Sequence, residues 1–237
     1  MSLLEIRDLE RRYGGIRAVA GLDLKVEAGE LRCLIGPNGA GKSTVFKLIM
    51  GLDRPNRGAI RFDGSDVTRL QPFQRARRGL SMKYQATRVF LQLSVAQNLA
   101  VACGRRGLEA TLVPWALDSF GLAAALDRPA HALSYGEQHW LEMVLTLGTR
   151  PKLLLMDEPT AGMTPEETMR TAAFVKELKT RGLTLIVVAH DMGFVREIAE
   201  RISVLHQGAL FREGGLADIE ADPEVRRVYL GERRGQA

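Results

Sequence analysis

No apolar run in the 237-residue sequence approaches the roughly 18 residues needed to cross a bilayer. The longest, LLLM and LTLIVVA, have the length of buried strands, so any membrane role has to be lent by partner chains. Cysteine is equally sparse. Cys33 and Cys103 stand far apart without the paired spacing of a zinc or redox motif, which excludes a disulfide framework and fits a reducing compartment. The opening MSLLEIRDLERR interleaves acids among its apolar residues, so no secretory leader is expected there. Internal repeats and low-complexity linkers are missing, which argues against solenoids and strung-out domains. The formal charge is +5, but the excess is scattered over short clusters such as Arg75, Arg77 and Arg78, Arg105 and Arg106, Arg226 and Arg227, and Arg233 and Arg234. They lack aromatic interleaving and any nucleic-acid module, so no nucleic acid is expected as a partner.

What is present, at 46% hydrophobic, suffices for one large core or a core with a smaller lobe. Leu4, Ile6 and Leu9, then Val19, Leu22, Leu24 and Val26, alternate as half-buried antiparallel strands around a turn at Gly14 and Gly15. LRCLI reads as a short buried strand running into a glycine-rich loop. KSTVFKLIMGL follows at helical spacing and stops at Gly51. KLLLMD and LTLIVVAH, separated by a helix-length segment, imply a parallel sheet. Ser94 to Ala132, rich in Leu and Ala, reads as an inserted helical lobe. RISVLHQGALFREG reads as a strand pair turned at Gly208, and PEVRRVYLG as a helix with Pro223 in its first turn. The expected fold class is therefore α/β, one unit over 1–237 with an antiparallel β-subdomain. Its core spans 1–85 and 149–237, and the helical insertion covers about 86–148.

GPNGAGKST, covering Gly36, Pro37, Asn38, Gly39, Ala40, Gly41, Lys42, Ser43 and Thr44, fits G-x-x-x-x-G-K-[ST] between a buried strand and a helix, as a phosphate loop requires. Its backbone N–H groups and the following helix dipole suit phosphate oxygens. Lys42 is placed for the β- and γ-phosphates and the Ser43 hydroxyl for Mg²⁺. KLLLMDEP delivers Asp157 and Glu158 at the carboxyl end of a strand, where open α/β sheets bind ligands. Asp157 is assigned to the magnesium shell, and Glu158 to polarising the attacking water as general base or orienting group. His190, at the end of the next strand, is assigned to the γ-phosphate, the water and Glu158. Gln85 is placed near Mg²⁺ or the water, and Tyr13, the aromatic of RRYGG, over the adenine ring.

LSYGEQ adds a serine and a glycine at a helix start, a second phosphate-suited place. With GPNGAGKST, Gln85, LSYGEQ, LLLMDEP and His190 in this order, the chain resembles the ATP-binding subunits of ATP-binding-cassette (ABC) transporters over essentially its whole length. The resemblance implies a P-loop ATPase core, ATP and Mg²⁺ as cofactors, and a head-to-tail dimer with a second ABC ATPase subunit, the same chain or a sister. In that dimer Ser134, Tyr135, Gly136 and Glu137 act in trans on the partner's nucleotide. It further implies transmembrane permease subunits, an extracytoplasmic solute-binding protein reached through them, and a place at the cytoplasmic face of the membrane. TAGMTPEET, AHDMGFVREIAERISVLHQG and DPEVRRVYLGE resemble the importers of branched-chain amino acids and urea, with AGMTPEET, VLHQG and VYLGE leaning to the urea type. Three positions depart from the family pattern. Tyr135 and Glu137 replace a glycine and a glutamine of the common signature, and Thr164 stands where an aspartate commonly crosses the dimer interface, which leaves coupling through that loop open.

Overall fold

The computed structural model describes residues 2–104 and 112–230. Arg105, Arg106, Arg233, Arg234 and the end of the expected DPEVRRVYLGE segment lie outside the described residues. The backbone of the four-stranded antiparallel sheet is the pair β1 (Ser2–Tyr13) and β2 (Ile16–Glu27), joined by β4 (Arg57–Phe62) and β5 (Ser65–Asp66) in the order β2-β1-β4-β5. The second sheet has six strands: β3 (Leu31–Ile35), β6 (Leu80–Lys83), β7 (Leu153–Asp157), β8 (Thr184–Val188), β9 (Arg201–His206) and β10 (Ala209–Gly214). Their order is β10-β9-β3-β8-β7-β6. Every pairing in it is parallel except the β9–β10 hairpin, which turns at Gln207 and Gly208, both at positive φ.

β3, β7 and β8 are five residues long and buried throughout, as expected of parallel strands covered on both faces. Their period of two divides the core into two layers. Leu153, Leu155, Ile186 and Val188 face the antiparallel sheet and the helix α1 (Lys42–Met50), packing with Ile6, Leu24, Phe46 and Ile49. Leu154, Met156, Leu185 and Val187 face the opposite way, into a layer with Leu141, Val144, Val175 and Phe194. That layer belongs to α5 (Tyr135–Gly148), α6 (Pro165–Thr180) and α7 (Met192–Ile198), and it runs on into the lobe of α3 (Val95–Cys103) and α4 (Val113–Ser119).

Several details differ from the sequence reading. β6 escaped it because LSMK holds no β-branched or aromatic residue, yet it forms a parallel edge on β7. β8 stops at Val188, so His190 sits two residues beyond the strand rather than at its end. Pro223 opens only a three-residue helix, Pro223–Val225, which widens into a π-turn over Arg226–Leu230. Trp140 is buried, stacked on Phe120 at 4.9 Å and donating from Nε1 to Thr171 Oγ1 at 3.0 Å.

α1 ends at Gly51, and its terminal carbonyls are taken up by a side chain from the short helix α2 (Pro72–Arg77). Arg75 is buried. Its Nη1 donates to Leu48 O at 2.6 Å and Ile49 O at 2.7 Å, Nε to Leu70 O at 3.0 Å and Nη2 to Thr68 O at 2.9 Å. The guanidinium supplies the orphan carbonyls of a helix C-terminus with donors and opposes its negative dipole end. Burial pushes its pKa down to about 10, still well above neutrality. Replacing it by Met (Arg75→Met) is expected to destabilise the fold by roughly 3 kcal/mol through the loss of its buried donors, even though Leu48 O keeps the Gly51 N–H. That corresponds to a melting temperature lower by about 6–12 °C; an unchanged melting curve would show that water replaces the guanidinium at no cost.

Candidate functional site

The parallel order β3-β8-β7-β6 brings four strand ends to one rim. The loop from Gly36 to Gly41 leaves β3, His190 follows β8, Asp157 and Glu158 end β7, and Gln85 follows β6. Asp157 pairs in register with Val188, and the Glu158 N–H donates to Val188 O at 2.9 Å, which ties the last two residues of KLLLMDE to the end of β8.

The glycine loop is folded tightly against its surroundings. Gly36 and Gly41 have φ of 149° and 100°; a Cβ on the first would lie 2.2 Å from Leu205 O and one on the second 2.3 Å from Ala18 O. Only glycine fits either place. The Gly208 N–H donates to Ala40 O at 3.1 Å and the Ala20 N–H to Gly208 O at 2.8 Å, so the hairpin turn fastens the loop to β2 of the antiparallel sheet. Lys42 reaches back under the loop, its Nζ donating to Gly36 O at 2.6 Å and Pro37 O at 3.0 Å. Burial lowers its pKa, opposed by the charges of Glu158 and Asp157.

Two adjoining clefts flank this lysine. One, of about 370 Å³, is lined by Asn38, Gly39, Ala40, Gly41, Lys42 and Glu158; the other, of about 660 Å³, by Lys47, Asp53, Tyr84, Gln85, Arg88 and Asp157. Tyr13, Ser43 and Thr44 line both. Three of the residues expected to act in hydrolysis converge. Gln85 Nε2 donates to Glu158 Oε2 at 2.9 Å, and His190 Nδ1 stands 3.6 Å from the same oxygen. Glu158 holds a left-handed backbone at φ 48°, a strained conformation for a residue with a side chain and one that gathers at functional sites. The Asp157 carboxyl is raised above its ordinary value, first by burial and then by Glu158, against a hydrogen bond with Ser43 and the charges of Lys42 and Lys83. Ser43 hydroxyl, Asp157 carboxylate and Gln85 amide oxygen form a set of hard oxygen donors suited to Mg²⁺. Among the described residues no group of three His, Cys, Asp or Glu could hold a metal by itself, so such an ion needs further oxygens from a ligand.

Tyr13 lies at the mouth, its ring half-exposed. Its hydroxyl donates to Asp53 Oδ2, and Arg11, paired with Asp53 at 2.7 Å, lies over the ring at 4.6 Å. One ring face is thus occupied by a guanidinium. Arg11 and Asp53 were not legible beforehand, since Asp53 lies forty residues downstream in an unmarked turn.

Ser134, Tyr135, Gly136 and Glu137 line neither cleft. Ser134 caps α5, its Oγ accepting from the Glu137 N–H at 3.2 Å while the Ser134 N–H donates to Glu137 Oε2 at 2.7 Å. Glu137 therefore completes a reciprocal cap at this helix start. Thr164 does the same for α6, with Glu167 as its partner. Aspartate and threonine are both good helix caps, which accounts for the local tolerance of Thr164. The two helix starts press together: a Cβ on Gly136 would lie 2.0 Å from Glu167 Oε1.

Residues 19–161 match the family described as ABC transporter. The chain is 36% identical to the high-affinity branched-chain amino acid transport ATP-binding protein BraF of Pseudomonas aeruginosa, covering 97% of this chain and 98% of that one. It is 35% identical to the corresponding LivG protein of Escherichia coli K12, with the same shares. Among solved structures, the ADP conformation of an ATP-binding cassette of an ABC transporter superposes with a TM-score of 0.88 at 26% identity, covering 98% of this chain and all of that one. No helix among the described residues is long and apolar enough to cross a membrane.

A raised Asp157 carboxyl means that the ionised form is disfavoured by folding, so at neutral pH the charge costs stability and below the folded pKa it does not. Asp157→Asn is expected to raise the melting temperature of the ligand-free protein by roughly 2–4 °C near neutral pH. The gain should shrink at acid pH, where the wild-type carboxyl takes up its proton. Melts at the two pH values check this; a lower melting temperature for the variant at neutrality would contradict it.

Proposed function

The chain belongs to the ABC transporter family as an ATP-hydrolysing subunit, and on that premise we propose that it powers solute import through separate permease subunits. The observation that carries this reading is the meeting of Gln85 and His190 on one oxygen of Glu158, beside the phosphate loop. Bound MgATP would supply the transferable phosphoryl group and the charge-neutralising ion. The loop N–H groups from Gly36 to Thr44 and the Lys42 ammonium hold the phosphates, and Lys42 exchanges its carbonyl partners for phosphate oxygens. Ser43, Asp157 and Gln85 serve the metal. Glu158 orients and deprotonates water while His190 and Gln85 fix its carboxylate. Tyr13, backed by Arg11, offers its other face to adenine.

Ser134 and Gly136 sit at a helix N-terminus that lines neither cleft, which supports a role on the nucleotide of a second ATPase subunit. ATP then stabilises the closed pair by binding it in preference to the open one, and hydrolysis releases it. The permease subunits would place the chain at the cytoplasmic face of the membrane, with a solute-binding protein beyond them. The names of BraF and LivG support branched-chain amino acids as solute over urea, toward which AGMTPEET, VLHQG and VYLGE lean.

Glu158→Gln is expected to lower phosphate release roughly a hundredfold or more while ATP still binds. Turnover near the parent level would take Glu158 out of the reaction. Sharing of sites is tested by mixing a Lys42→Ala chain with a Ser134→Arg chain, each inactive alone. One intact composite site should return in mixed dimers, with melting curves checking that loss of the Ser134 cap, worth about 1 kcal/mol, leaves α5 folded. Absence of any rescue in folded mixtures would count against action in trans.

A further inference from the structure

Lys83, the last residue of β6, is fully buried, and its ammonium meets two groups of α5: His139 Nδ1 at 3.1 Å and Glu142 Oε2 at 3.7 Å. Tyr135, His139 and Glu142 occupy positions i, i+4 and i+7, so they form one stripe along the helix, and the Tyr135 and His139 rings lie 4.4 Å apart. The stripe starts at the exposed tip of LSYGEQ. It ends at Glu142, whose partner Lys83 stands two residues before Gln85 in the chain.

Stability alone does not account for such a cluster. Desolvating an ammonium and a carboxylate offsets most of their attraction, and apolar side chains of similar volume are often at least as stable. The cluster is also incompletely satisfied, with His139 Nε2 and Glu142 Oε2 buried without a hydrogen-bond partner. His139 Nδ1 accepts from the ammonium, so Nε2 carries the ring proton. Burial and the Lys83 charge hold this imidazole neutral, its pKa pushed down to about 4. The Lys83 charge is felt by Asp157 on the neighbouring strand as well.

We propose that Lys83, His139 and Glu142 are positioning residues that join the helix led by Ser134 to the Gln85 loop, so that a nucleotide engaged by Ser134 and Gly136 sets where Gln85 stands against Glu158. This deepens the reading above and rests on it. α5 is a rigid rod, and the seven steps from Tyr135 to Glu142 span two turns, about 10 Å. A shift of its tip moves His139 and Glu142 with it and draws, through Lys83, on the segment between Tyr84 and Arg88. Between them Gln85 makes its 2.9 Å bond to the carboxylate that works on water. The loop after β7 offers no equivalent at Thr164, whose hydroxyl and backbone are engaged with Glu167 in capping α6.

The test measures MgATP turnover by the full-length chain for the parent, Glu142→Gln, Gln85→Ala, the two together, and the apolar pair Lys83→Met with Glu142→Leu. Glu142→Gln is expected to lower kcat about tenfold with KM for ATP changed less than about twofold, and to change kcat less than about twofold further when Gln85 is already Ala. The apolar pair should melt at or above the parent yet stay slow, because it refills the volume but removes the charged link between Lys83 and α5. Equal effects of Glu142→Gln in both backgrounds, or parental turnover by the apolar pair, would overturn the proposal and leave the cluster a packing device. Turnover that needs Glu158 but ignores Glu142 overturns the coupling alone, whereas a parent chain that releases no phosphate removes the ATPase reading beneath it.

Discussion

Four parallel strands, β3, β8, β7 and β6, ending side by side constrain everything else in this molecule. Parallel strands are hydrogen-bonded in one direction, so their carboxyl ends share a rim, and any polar residue placed just past a strand arrives at the same place. The phosphate loop, His190, the Asp157–Glu158 pair and Gln85 reach the site by that single rule. β7 and β8 are apolar between Thr184 at one end and Asp157 at the other because helices and a second sheet cover both faces.

The rim is held in a costly state. Lys42 and Asp157 are both largely buried, with burial the leading cause of the pKa shift in each, and Glu158 carries a left-handed backbone. Each of these features is unfavourable without a ligand and favourable toward a phosphate-bound cation: a desolvated ammonium, a desolvated carboxylate and a fixed carboxylate above them have fewer waters to shed when a charged partner arrives. The surrounding fold absorbs the cost through contacts remote from the chemistry, such as Arg75 closing the end of α1 and the Gly208 turn fastening the loop to β2.

The second phosphate-suited place, at Ser134, is separated from the first by the helical layer rather than by sequence distance. α5 packs its apolar side on β7 and β8 and leaves its N-terminus exposed next to that of α6, with Gly136 letting the two approach. A single chain thus presents a cleft at the strand rim and, elsewhere on its surface, the capped helix start that we propose acts on the nucleotide of a second subunit. The Lys83, His139 and Glu142 cluster lies on the path between them.

Much of this was readable from residues alone. The glycine loop, the apolar run ending in Asp157 and Glu158, and the strand–helix–strand order follow from local rules: glycine where φ is positive, period two in strands, caps at helix starts. Glu137 departs in sequence from the common signature, and the tertiary structure gives it a physical task as the return half of a helix cap. The weak strand LSMK, the Arg11–Asp53 clamp on Tyr13 and the buried Lys83 were not readable, since each depends on partners forty or more residues away in the chain. Sequence by itself determined which groups could bind phosphate and metal, because that is a property of residue type and local backbone. Only the tertiary structure decided which of them share one oxygen of Glu158 and which point away, because strand order and helix packing are set by burial across the whole core, where no local pattern can specify a neighbour.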